Sequence, residues 1–138
     1  MCERVSTMME EKELLLGDIR QLWNRIRPAL DQIKAEQNTD WIPEDIYHWV
    51  MAGQATLYAT DDGFAIVQRG QNEVTGEIFL RLLICYSWDG TQNIKDYMAA
   101  FENLARSVRA SYMEVLSNRR GFERVGFEIG HIVYKRRV

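Results

Sequence analysis

Two side chains in this sequence have the proton affinity and placement of a general base, Glu114 and His48. Glu114 falls within the short apolar stretch Tyr112 to Leu116, where a carboxylate turned into a cleft is costly unless it is used. The alternatives for it are to face solvent or to pair with an arginine. His48 lies beside Trp49 on a helical segment, and an isolated histidine on an amphipathic element is more often structural than catalytic. No metal site is expected, because the chain has only two histidines and no Cys-x-x-Cys, which leaves His131 without co-ligands. Polar side chains also cluster where apolar runs end. Tyr86 and Ser87 follow one run, Gly90, Thr91, Gln92 and Asn93 precede a helical stretch, and Ser117 and Asn118 follow another run. All are strand-end and capping types, which serve a cap as readily as a ligand.

The elements that position these groups follow from hydrophobic period. Ile19, Leu22, Trp23, Ile26, Leu30 and Ile33 form a helical stripe after Asp18, and Pro28 is expected to kink that helix or divide it after Arg27. A second helix begins near Pro43, with Asp40 or Thr39 as cap and Gly53 as a left-handed stop, and buries Ile46, Trp49 and Val50. The period then changes to two. Ala55 to Thr60 and Phe64 to Arg69 flank Asp61-Asp62-Gly63, which reads as a hairpin with Gly63 at a positive φ. After the polar turn Gln71 to Gly76, Glu77 to Tyr86 is the longest strand. Ile78, Leu80, Leu82 and Ile84 share one of its faces, and Phe79, Leu83 and Cys85 make the other apolar too, so it belongs in the centre of a sheet. Cys85 reads as a small core hydrophobe.

Ile94, Met98, Phe101, Leu104, Ala105 and Val108 mark a further helix ending near Arg109. It links the long strand to the strand Tyr112 to Leu116, so these two strands should be parallel. A short helix over Arg119 to Val125, a stop at Gly126 and a strand over Phe127 to Val138 complete the chain, with a short first strand around Arg4 to Thr7 left open. The result is one α/β (α+β) domain over residues 1–138, with a mixed central sheet flanked by helices.

Bulk properties exclude several functions. The 138 residues carry a net charge of only -3, so neither nucleic acid nor a membrane surface is called for, although Arg119, Arg120, Arg124 and Lys135 to Arg137 concentrate positive charge late in the chain, as a solvated basic face more often than as an anion site. No apolar run approaches the ~20 residues of a membrane span and no leader is visible, so a cytoplasmic protein is expected. Trp23 and Trp49 lie on apolar stripes and belong to a core. Trp41 and Trp88, in capping and loop positions, are the better anchors for a protein partner.

The order of elements, together with Met113-Glu114-Val115-Leu116-Ser117-Asn118 and Gly121-Phe122-Glu123-Arg124-Val125-Gly126-Phe127-Glu128, resembles the GNAT (Gcn5-related N-acetyltransferase) superfamily. The specific match runs from Ser117 to Glu128. It includes the strand-end asparagine, the glycine that ends a short helix and the phenylalanine that begins the next strand. The resemblance implies a GNAT-like acyl-CoA N-acyltransferase fold and acyl transfer from acetyl-CoA to a small-molecule or protein amine. It places Tyr86, Ser87, Gly90, Thr91, Gln92 and Asn93 at the cofactor, and Glu114, Ser117 and Asn118 at the chemistry. Two departures stand out. The phosphate-binding segment, Ser87-Trp88-Asp89-Gly90-Thr91-Gln92-Asn93-Ile94, has one glycine and an aspartate that would repel a pyrophosphate. Phe122 stands where many members carry a proton-donating tyrosine. Such divergence is that of the small acetyltransferase-like proteins of tailed bacteriophages, and it leaves a catalytically silent binding or assembly protein as the rival expectation.

Overall fold

The computed structural model describes residues 13–89, 94–116, 122–130 and 133–138. Among these residues one sheet holds five strands in sequence order, β1 (Leu15–Leu16), β2 (Thr56–Ala59), β3 (Gly63–Gln71), β4 (Ile78–Ser87) and β5 (Tyr112–Val115). The first four pair antiparallel. β4 and β5 pair in parallel, as their helical connection requires. Helices α1 (Ile19–Gln37) and α2 (Pro43–Met51) share one apolar cluster with Phe64, Ile66 and Ile84, while α3 (Ile94–Ser107) covers Ala65, Val67, Leu80 and Leu82. Odd and even residues of β3 thus divide cleanly between two cores, as alternation on a pleated strand demands.

β4 breaks that alternation. Ile66 of β3 faces Ile84 but Val67 faces Leu82, so Leu83 is an extra residue, a β-bulge. Leu80 and Leu82 consequently join the α3 core and Ile84 the opposite one, where a regular strand would have set all three on one face. The same shift turns Cys85 towards Ala65, and the cysteine is exposed rather than a core side chain.

Pro28 does not divide α1, which runs unbroken from Ile19 to Gln37. The carbonyl that loses its donor belongs to Asn24, and both Asn24 and Pro28 are exposed, so water can take the missing bond. Buried Ile26, Ala29, Leu30 and Ile33 hold the turns on either side. Asp18 caps the helix by accepting the Arg20 N–H at 2.9 Å, and Asn38, at φ 50°, ends it. Neither Thr39 nor Asp40 caps α2. Its first residue is preceded by Ile42, whose N–H is taken by the Asp45 carboxylate at 3.0 Å. Arg27 and Glu44 join the two helices in an ion pair.

The hairpin glycine has a different cause from the one expected. Gly63 does not have a positive φ, but a Cβ there would lie 1.8 Å from the Tyr86 carbonyl oxygen. Close approach of two backbones leaves no room for a side chain at this position unless the two strands shift apart. Gly53 and Gly126 do take the left-handed conformation, at φ 79° and 94°. Beyond Gly126 the expected last strand does not form among the described residues: Glu128 to Gly130 and Val133 to Val138 are exposed and unpaired with the sheet. Phe127 is half-buried against the α3 core, its ring edge-on to Phe122 of the 3-10 turn Phe122–Val125 at 5.9 Å. The expected first strand near Arg4 to Thr7 lies outside the described residues. Among the described residues the sheet begins at Leu15.

Candidate functional site

The pairing of β4 with β5 runs from Phe79↔Tyr112 to Leu82↔Val115, where β5 ends, while β4 continues to Ser87. From the bulge onward, Leu83 to Ser87 lines a cleft of about 650 Å³. The floor is completed by Val115, Leu116 and Phe122, and the facing wall by the C-terminal end of α1 and the loop that follows it. The cleft therefore has an apolar side with open strand edge and a polar side built from Gln32, Glu36, Gln37, Asn38 and Thr39.

Its side chains are tied to one another or to a neighbour in three places. Tyr86 Oη donates to Gln32 Oε1 at 3.0 Å, and Gln32 Nε2 donates to Glu36 Oε2 at 3.1 Å, a chain that crosses from β4 to α1. Arg81 Nε donates to Glu114 Oε1 at 2.6 Å, matching their opposed positions on the two parallel strands. Both side chains are about one-third exposed, a setting in which an ion pair contributes on the order of 1 kcal/mol or less. At the mouth, Lys135 Nζ lies 3.0 Å from both carboxylate oxygens of Asp40, fastening the tail to the loop between α1 and α2.

Of the residues expected at the site, Tyr86 and Ser87 line the cleft. Glu114 is half-buried and engaged by Arg81, the pairing that the sequence left as one of its alternatives. Gly90, Thr91, Gln92, Asn93, Ser117 and Asn118 lie outside the described residues, as does His131. His48 is exposed on α2 and does not reach the cleft, although its neighbour Trp49 does. Trp41 is buried at 8% exposure in the α1–α2 core, so it is not a surface anchor. Trp88 is half-buried, packed on Phe64 and Tyr86 with the Arg25 guanidinium 4.2 Å above its ring. Gln32, Glu36, Arg81 and Leu83 were not foreseen. Glu36 was legible only as part of a polar helix end, and nothing in an uninterrupted apolar run marks a bulge.

Cys85 touches both this cleft and a small recess beneath α3. Solvent reaches it, yet protein surrounds it on most sides, and that desolvation pushes its thiol up to about 12. Open water moderates the size of such a shift but not its direction, so the group is a neutral thiol rather than a nucleophile at neutral pH. Among the described residues no group of His, Cys, Asp and Glu could hold a metal ion, and no helix is long and apolar enough to cross a membrane.

No protein-family model matches the sequence, and no curated protein matches it. Solved structures do match. Ribosomal-protein-alanine N-acetyltransferase from Brucella melitensis biovar Abortus 2308 superimposes with a TM-score of 0.66 at 15% identity, over 93% of this chain and 99% of that one. A probable acetyltransferase gives 0.64 at 12% identity, over 91% and 97%. YycN from Bacillus subtilis, a candidate acetyltransferase, gives 0.60 at 15% identity, over 92% and 98%. The chain has a GNAT-like fold, the one these acetyltransferase structures share.

Proposed function

We propose that this chain transfers an acyl group from a coenzyme A thioester to an amine, acting as one domain in a soluble, cytoplasmic setting. The observation that carries the reading is the edge of β4 beyond Leu82, which among the described residues has no strand partner on its β5 side and lines the cleft. An extended, amide-bearing chain such as the pantetheine arm can add to a free strand edge as an extra strand does, with main-chain hydrogen bonds supplying affinity. The cleft volume lies within the range of small-molecule sites.

The bound thioester supplies an activated acyl group. A backbone N–H beside the bulge is suited to polarise its carbonyl, since fixed amide donors stabilise the oxyanion that develops during attack. The amine nitrogen forms a C–N bond as the C–S bond breaks. The sulfur leaves as a thiolate and is protonated, and the amine gives up a proton. Phe122, which lines the cleft, has no proton to give. The phenol of Tyr86 is one proton-bearing side chain of β4 that lines it, beside Cys85 and Ser87.

Thermal shift and calorimetry with acetyl-CoA test this reading. A ligand held only by the folded state stabilises it by about 2.7 kcal/mol at a hundredfold excess over its dissociation constant. Absence of binding at millimolar acetyl-CoA would reject the enzyme reading. It would favour a silent fold, to which Phe122 already inclines, with a partner surface at Trp88 rather than Trp41.

A further inference from the structure

We infer that residues 133–138 are a lid for the cleft, held at its mouth by a clasp between Lys135 and Asp40, and that a ligand completes the closure by covering Val133. That the ligand is a coenzyme A thioester rests on the reading above; the clasp itself does not. Val133 and Lys135 line the cleft, whereas Tyr134 between them is exposed and does not, so the tail presents alternate side chains to the site. Residues 133–138 have no strand partner among the described residues. The Lys135 ammonium on Asp40 is, among the described residues, the one hydrogen-bonded or ionic tie this stretch makes.

The two halves of the clasp differ in how firmly they are held. Lys34 Nζ donates to the Thr39 carbonyl at 2.8 Å, and Thr39 Oγ1 donates to the Trp41 carbonyl at 3.0 Å. Trp41 is itself buried in the α1–α2 core. Asp40 is therefore bracketed by two anchored residues and offers both carboxylate oxygens to one ammonium, while the tail is the partner free to move. An exposed pair of this kind contributes little, so the clasp opens easily, as a lid requires. The tail also roofs the cleft without filling it. Val133 is 74% exposed although the cleft it lines has an apolar floor, and about 650 Å³ remains open. A segment that inhibited by occupying the site would have buried that side chain there. A ligand between roof and floor would instead remove apolar surface of Val133 from water, which favours the closed position.

Two measurements on the full chain test the lid, the first without any ligand. A zero-length carbodiimide joins a carboxylate to an amine in contact with it, and peptide mass analysis should find Lys135 coupled to Asp40. The product should be missing in Asp40→Asn and scarce at about 0.5 M salt, where exposed charges are screened. The second is calorimetric titration of acetyl-CoA into the parent, Asp40→Asn, Lys135→Gln and the exchanged pair Asp40→Lys with Lys135→Asp. All four substitutions are at exposed positions, so the fold should survive. Each single variant should raise Kd about two- to fivefold, the range an exposed ion pair can supply, and the exchanged pair should return it to within about twofold of the parent. Direction separates the lid from a simple field effect. If the two residues acted only through their charges on an anionic cofactor, loss of the carboxylate would tighten binding and loss of the ammonium would weaken it. Opposite directions, equal affinity in all four chains, or no Lys135–Asp40 cross-link in the parent overturns the inference. Failure of acetyl-CoA to bind even the parent counts against the enzyme reading, and the cross-link then decides for or against the clasp.

Discussion

The two halves of β4 have opposite duties. From Ile78 to Leu82 the strand is paired on both sides, to β3 and β5, and its side chains Leu80 and Leu82 are almost fully buried. From Leu83 to Ser87 it is paired, among the described residues, on one side only, and it lines a cleft. One inserted residue separates a half that holds the sheet together from a half that leaves an edge for a ligand. A bulge is a cheap way to do this, because it changes the facing of every residue beyond it without ending the strand.

If that division is right, damage to the first half should appear in stability and damage to the second in binding. Leu82→Ala should lower unfolding free energy by about 3 kcal/mol, the usual range for a buried leucine, as measured by urea denaturation. Gly63→Ala probes the contact between the hairpin and the second half. Its Cβ would overlap the Tyr86 carbonyl, and a loss of roughly 2 kcal/mol is expected, accompanied by changed shifts at the cleft. Deleting Leu83 sharpens the comparison most. Leu82 and Ile84 would then alternate regularly and keep their cores, so the cost should be near ~1 kcal/mol for the half-buried side chain, while acetyl-CoA binding should be lost. A folded deletion variant that binds as well as the parent would remove the role given to the bulge.

Smaller effects are expected at the margins. Gly126→Val meets no neighbouring atom but must adopt φ 94°, so it should cost on the order of 1 kcal/mol. Cys85 should alkylate slowly with iodoacetamide at pH 8 in the folded chain and quickly in urea, resolved from Cys2 by peptide mass analysis, because the folded state favours the neutral thiol. In linkage terms its contribution to stability is complete below the ordinary value of 9.0 and declines as pH rises from there towards about 12. Fast labelling of the native protein at pH 8 would contradict this.

Much of the scaffold was legible because it depends on periods and spacing. The helical stripe from Ile19, the hairpin around Asp61 and the helix between two strands each follow from patterns that tolerate few alternatives. The parallel pairing of β4 with β5 came from the length of its connection. What escaped depends on parity and partners. A strand apolar on both faces contains no signal of where its alternation slips, so the facing of Ile84 and Cys85 was misread. The segment after Gly126 has strand-like composition, but a strand needs a neighbour, which local sequence does not supply. Trp41 sits in a polar connection and is buried by α1 and α2, a tertiary fact. The polar wall was missed because Gln32 and Glu36 are ordinary on a solvated helix face, and only the approach of Tyr86 gives them a direction.

The placement of the indoles has an optical consequence. Trp41 and Trp49 line the cleft, whereas Trp88 stacks under Arg25 and Trp23 packs edge-on to Tyr47 at 4.9 Å, both apart from it. Emission from the first two should respond to whatever enters the cleft, and emission from the second two should stay constant as an internal standard. A Trp23→Phe, Trp88→Phe chain would thus report occupancy of the cleft by its own fluorescence, without a label and without a reaction.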